Sequence, residues 1–246
     1  MQEECGICGF NNDKNDSIFS CKCKNMKSEW VWDSQCTTPE LCLFKDDKTI
    51  IFHPKSSNGT SVVRGTELFT SGIHYWEIRV ITPLYGTDVM IGVGEKDLCL
   101  EGSECKYSSF LGADGHSCGH SYTGGIQYKG SFDYKHVKEF SNRSVVGCLL
   151  DMFHRKLYFF VNRELSGRPI TLKGNAYYPM VCSTAARTGV QLIYTRSFEA
   201  KLQHFIIMEN KLPREDEHHR YSSLIKVLLE DCWPLRLPNR RRISVD

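Results

Sequence analysis

The sequence predicts a mostly β protein, an antiparallel β-sandwich followed by a small α-helical module. Three observations carry that expectation. Short segments rich in aromatic and β-branched residues recur through the middle of the chain, punctuated by Gly, Asn and Ser. Hydrophobic alternation there has period two. After Ser197 the apolar residues change to helical spacing.

Residues 1–28 form a polar tail with four cysteines. The β block follows, over residues 29–196. In His74-Tyr75-Trp76-Glu77-Ile78-Arg79-Val80 the alternation turns Trp76, Ile78 and Val80 toward a core and Glu77 and Arg79 toward water. Residues 88–94, 145–151, 156–162 and 189–194 read as buried strands, and residues 152–155 as a hairpin loop. Trp30 and Trp76 are expected in the core, because large aromatics dominate core burial. A helical module is expected over residues 197–233. Leu202, Phe205 and Ile206 share one side of a helix over 201–208, and residues 222–230 form a second helix. Ser222 or Ser223 can cap that helix and Pro234 can stop it. Residues 234–246 are a basic tail containing Arg240, Arg241 and Arg242.

Bulk properties exclude several classes. The net charge of +2 gives no global attraction to nucleic acid or to an anionic membrane. No apolar run approaches the roughly 18 residues that span a bilayer. The N-terminus has neither the basic nor the apolar region of a signal peptide. The twelve cysteines are therefore expected in a reducing compartment, inside the cell in the cytoplasm or nucleus. The sequons at Asn58 and Asn142 are then chance matches.

Three patterns bear on chemistry. Cys5, Cys8, Cys21 and Cys23 make a C-x2-C and C-x-C set, and four thiolates can hold one structural zinc. The second pair is tighter than usual zinc spacing, and the alternative is an unstructured tail with free thiols. No other cofactor is expected. Gly115-His116-Ser117-Cys118-Gly119 fits the G-x-S-x-G hydrolase pattern. That pattern needs a strand before the serine and a helix after it, whereas a Gly/Ser loop is expected here. His116 and His120 read as loop histidines, without an adjacent acidic ligand. No active site is expected.

The β block resembles the SPRY (B30.2) family. The resemblance rests on residues 72–78 around Trp76-Glu77, on residues 149–152 followed by 156–162, and on Tyr178-Pro179-Met180-Val181. It covers about residues 30–196 and implies the antiparallel sandwich. Residues 30–33, 85–88, 121–124 and 180–187 resemble more narrowly the SPRY–SOCS box proteins. That narrower likeness implies a helical box that recruits elongin B/C and a cullin. The chain would then be the substrate-recognition subunit of a ubiquitin ligase, with catalysis left to its partners. Leu202 matches the leucine that enters elongin, with Phe205 and Ile206 beside it; Ile206 stands where the family has Cys. The Leu-Pro-Leu-Pro element expected before the last helix is replaced by Glu217-His218-His219-Arg220, which weakens the match to a cullin-binding box.

The same resemblance implies a target-peptide site on the sandwich loops. By position it contains Pro54, Ser56, Ser57, Asn58, Gly59 and Thr60, then Tyr107 and Phe110, then Ala185, Ala186 and Arg187. Ala185 and Ala186 stand where relatives have Trp and Gly, so a different specificity is expected. The alternative function is a SPRY scaffold or adaptor that binds a partner without recruiting a ligase.

Overall fold

Strand formation follows the period-two pattern, and two facing sheets result. The computed structural model describes residues 3–4, 11–12, 30–35, 42–100 and 106–198. Residues 3–4 (β1) and 11–12 (β2) pair with each other. Six strands form one antiparallel sheet. In spatial order they are β10 (Ser131–Asp133), β9 (Ile126–Tyr128), β8 (Ser117–Ser121), β7 (Val89–Glu95), β14 (Tyr177–Ser183) and β5 (Ser61–Arg64). Seven strands form the other. Their order is β13 (Glu164–Thr171), β12 (Lys156–Val161), β11 (Val145–Asp151), β6 (Ile73–Val80), β15 (Thr188–Phe198), β4 (Thr49–Phe52) and β3 (Cys42–Asp46). No helix occurs among the described residues.

The core lies between the sheets. From the seven-stranded sheet come Ile50, Phe52, Trp76, Ile78, Val80, Val146, Cys148, Leu150, Phe159 and Val190; Val63, Ile91, Val93, Cys118 and Val181 face them. Each set follows every second residue of its strand, as a pleated sheet with one buried face requires. Trp30 packs edge-on against both Trp32 and Trp76, with ring centroids 5.1 and 6.2 Å apart. Both expected core tryptophans, Trp30 and Trp76, are in the core.

Glycine sets one strand contact. Gly92 pairs with Gly119 across β7 and β8, and a Cβ on Gly92 would lie 1.9 Å from the Cys118 carbonyl oxygen. Only a residue without Cβ lets the two backbones approach this closely.

Three sequence expectations need correction. Glu77 does not face water: it is 2% exposed on the outer face of the seven-stranded sheet. There it accepts the Tyr75 hydroxyl at 2.7 Å and two hydrogen bonds from Arg163, at 2.9 and 3.2 Å. Period two assigns a residue to a face, but not to water. Residues 117–121 form strand β8 rather than a Gly/Ser loop. His120 is therefore a buried strand residue, not a loop histidine. The two expected helices and the four N-terminal cysteines lie outside the described residues.

Candidate functional site

Four connections meet at one end of the sandwich. They are residues 53–60 between β4 and β5, 81–88 between β6 and β7, 184–187 between β14 and β15, and residues 106–109 of the connection between β7 and β8. Side chains of each connection bond the backbone of another. Tyr107 donates its hydroxyl to the Ser57 carbonyl at 2.7 Å. Ser57 donates its own hydroxyl to the Thr184 carbonyl. Tyr85 donates to the Ala186 carbonyl. Thr60 donates to the Lys106 carbonyl at 2.6 Å and its oxygen accepts the Ser108 N–H at 3.1 Å. Asp88 N–H donates to the Thr184 hydroxyl at 2.9 Å.

Buried polar groups support these loops from beneath. His53 is fully buried, and its Nε2 faces the Ser183 carbonyl at 2.9 Å, so Nε2 carries the proton. Its Nδ1 has no hydrogen-bond partner. Burial holds the His53 pKa below the ordinary histidine value, which keeps the ring neutral. The His53 carbonyl accepts the Arg187 N–H at 3.1 Å. Both His53 and Arg187 have positive φ, at 45° and 58°. Asp88 accepts hydroxyls from Ser109 at 2.5 Å and Ser121 at 2.6 Å. Burial nonetheless raises its pKa, because desolvation outweighs those bonds. Gly86 has φ +83°, and a Cβ there would sit 3.1 Å from the Thr184 hydroxyl and 3.2 Å from the Ala185 Cβ.

The residues read as a peptide site thus fall into three sets. Ser56, Asn58, Tyr107 and Arg187 are exposed, and Pro54, Ser57 and Ala186 are partly so. Gly59, Thr60 and Ala185 are buried and shape the loops without presenting side chains. Phe110 packs against a smaller apolar cluster on the outer face of the six-stranded sheet, with Met90, Leu111, Met180 and Cys182. It anchors its loop more than it offers a free face.

Sequence reasoning missed Tyr85, which is 50% exposed beside Ala186. The available signal was a large aromatic placed directly before Gly86 in a connection between two strands. A cleft of about 310 Å³ adjoins that connection, lined by Leu84, Tyr122, Thr123, Glu139, Phe140 and Ser141. The Tyr122 hydroxyl closes one side by donating to the Gly86 carbonyl at 2.9 Å.

The hydrolase pattern has no catalytic geometry. Ser117 lies within β8, 1% exposed, and its hydroxyl oxygen accepts the Gly112 N–H at 2.8 Å. A nucleophile elbow instead displays its serine at a strained turn. His116 pairs with Glu95 at 2.9 Å on the surface. The His120 Nδ1 faces the Ser121 carbonyl and its Nε2 the Ser166 hydroxyl, at 2.9 and 2.8 Å. No group of three or more His, Cys, Asp or Glu side chains among the described residues is arranged to hold a metal. Among these residues no helix is long and apolar enough to cross a membrane.

Comparison with known proteins agrees with this architecture. The chain is 37% identical over 190 residues to SPRY domain-containing SOCS box protein 3 of Xenopus laevis, covering 76% of this chain and 52% of that protein. It is 24% identical over 181 residues to Protein gustavus of Drosophila melanogaster, covering 70% and 64%. The chain thus spans about half the length of the Xenopus relative. Among solved structures, the SPRY domain of human HERC1 superposes with a TM-score of 0.53 at 16% identity, covering 69% of this chain and 99% of that one. That likeness concerns the fold alone. The SPRY domain family itself matches residues 73–197, from the first residue of β6 to the penultimate residue of β15. Two antiparallel sheets, the Trp76 strand and this match place the chain in the SPRY domain family.

Proposed function

We propose that the chain is the substrate-recognition subunit of an elongin B/C–cullin-RING ubiquitin ligase, holding a short segment of its target on the sandwich loops. One observation carries the binding part. Loops from four connections are tied by side chain-to-backbone hydrogen bonds, and above them stand two half-exposed tyrosines, Tyr85 and Tyr107. Bonds of this kind hold a loop in one conformation, which reduces the ordering entropy lost on binding. Tyrosine suits the anchor role, with a rigid apolar ring and a polar tip.

The ligase part is supported by the SOCS box in the name of the Xenopus relative and by Leu202, Phe205 and Ile206 in the expected elongin-facing helix. On this reading the chain works inside the cell, without an active site of its own. A structural zinc on Cys5, Cys8, Cys21 and Cys23 belongs to the same proposal. Full-length protein should then carry about one zinc, lost when the four cysteines become serine.

A second reading, an adaptor without ligase recruitment, is favoured by Ile206 in place of Cys and by residues 217–220 in place of Leu-Pro-Leu-Pro. Affinity capture of the full chain from cells, read by mass spectrometry, separates the two. Elongin B, elongin C and a cullin recovered with the target support the ligase. A target recovered without them supports the adaptor.

A further inference from the structure

The cleft beside the target loops has apolar walls and a polar lining of one kind. Leu84, Tyr122 and Phe140 carry the sandwich core into it. Its volume of about 310 Å³ is at the small end for a ligand pocket and gives room for one long side chain. Leu84 directly precedes Tyr85, whose hydroxyl donates to the Ala186 carbonyl. The Tyr122 hydroxyl donates to the Gly86 carbonyl at 2.9 Å. The 81–88 connection therefore borders both the target loops and the cleft.

The lining offers acceptors. A hydroxyl has one proton to give. That of Tyr122 is committed to the Gly86 carbonyl. That of Ser121 is committed to Asp88, at 2.6 Å. Thr123 Oγ1 lies 2.8 Å from Ser121 Oγ, so Thr123 must supply the proton of that bond. The Tyr122 and Thr123 oxygens keep only lone pairs for a ligand. Glu139 adds an exposed carboxylate. It has no ion pair among the described residues, and Lys138 beside it pairs with Glu164 instead. Ser141 supplies the remaining hydroxyl, which turns to suit its partner. Behind Ser121 lies the Asp88 carboxylate, 3% exposed, which accepts two hydroxyls.

A cationic donor satisfies this lining. Its N–H groups meet the lone pairs, its charge meets Glu139, and the faces of Tyr122 and Phe140 attract it as well. An acidic side chain would be repelled by Glu139 and Asp88. An apolar one would strip water from the oxygens and return no hydrogen bond.

We propose that the cleft takes a lysine or arginine side chain of the target segment, its methylene stem along Leu84 and Phe140 and its charged head at Glu139 and Thr123. The inference rests on the reading of the loops as a target site and adds a basic residue to the motif that site selects.

Selection of a displayed random-peptide library on the full chain tests it. Peptides selected on the wild type should carry Lys or Arg at one position of the aligned set. Replacing that residue with Ala in a synthetic peptide should weaken binding roughly tenfold. Glu139→Gln should weaken the basic peptide several-fold and E139K at least tenfold, while the Ala peptide binds all three proteins alike. Both variants should melt with the wild type, since Glu139 is exposed. A neutral, apolar or acidic residue at that position, or no constant residue, would overturn the inference. So would a basic residue whose replacement costs the same in wild type and E139K. Tyr107→Ala separates this inference from the loop reading. Peptides that need Tyr107 but carry no basic residue keep the loops and overturn the cleft. Peptides indifferent to Tyr107 whose basic residue depends on Glu139 support the cleft and remove Tyr107 from the site. A library that yields no binder overturns both.

Discussion

The Tyr107 hydroxyl donates to the Ser57 carbonyl at 2.7 Å while the residue stays 55% exposed. One side chain therefore both pins the 53–60 connection and offers a surface. Tyr107→Ala should lower target capture by roughly tenfold or more, as for an interface hot spot. The melting temperature should change little, since so exposed a ring adds little to the core. Tyr107→Phe keeps the ring and loses only the loop bond, a loss of about 1 kcal/mol or less. Equal capture by the wild type and the Ala variant would remove Tyr107 from the site.

Gly86 tests whether loop shape matters to binding. Its φ is +83°, and the Thr184 hydroxyl and the Ala185 Cβ lie within 3.2 Å of where an alanine methyl would sit, so alanine must move the 184–187 connection. Gly86→Ala should destabilise by about 1 kcal/mol. It should also weaken target binding measured by calorimetry. A variant that loses stability but binds unchanged would show that the 184–187 connection lies outside the site.

Acid should destabilise the sandwich through its buried histidines. Burial lowers the pKa of His53 and His74, and pushes His120 down to about 4. In the unfolded chain these rings take up protons near pH 6.5, whereas the folded state resists until lower pH. The unfolded state thus binds more protons in that interval. Stability is complete above about pH 6.5 and falls as pH drops toward each folded value, by up to ~1.4 kcal/mol per pH unit per histidine. Asp88, raised by burial, opposes this between its folded value and the ordinary one. Denaturant midpoints at pH 7 and pH 5 measure the net slope. A His120→Gln variant should show a shallower slope, and an unchanged slope would exclude His120 as a contributor.

Arg163 neutralises Glu77 on the outer face through two hydrogen bonds. Arg163→Met leaves a buried carboxylate with the Tyr75 hydroxyl alone. Removing one partner of a fully buried pair costs about 3–5 kcal/mol. The Arg163 side chain is 62% exposed, so roughly 1–3 kcal/mol is expected after solvent screening. Glu77→Gln combined with Arg163→Met should recover part of the loss, and thermal denaturation of the double variant and of each single variant measures this coupling.

Leu202→Ala should reduce elongin B/C recovery at least tenfold in a co-precipitation while target capture persists, because the two sites use different parts of the chain. Equal recovery of elongin by the two forms would reject Leu202 as its anchor.

Much of the sandwich was written in local pattern. Trp76, Ile78 and Val80 alternate, residues 145–151 and 156–161 form adjacent antiparallel strands, and residues 152–155 join them. Period two is a property of the strand itself and needs no partner to be visible. Strands β8, β9, β10 and β13 were not legible, because Gly119, Gly167 and polar residues interrupt them. Their pairing comes from neighbouring strands, which no local window contains.

The candidate site divides in the same way. The connections that contain it could be placed from the residues flanking each strand, and the SPRY resemblance marked Tyr107 and Arg187. Only the tertiary structure joined Tyr107 to Ser57, Ser57 to Thr184 and Tyr85 to Ala186, since each pair is far apart in sequence and meets through strand order. It also decided which side chains are offered and which are buried: Tyr85 stands exposed, Ala185 and Thr60 do not. Glu77 makes the same point. Alternation alone determined its face, but the burial of that face and the arrival of Arg163 from the β12–β13 turn depend on contacts between residues 86 positions apart. A sequence records each residue's local preference; the free energy of burial is set by what packs on top of it.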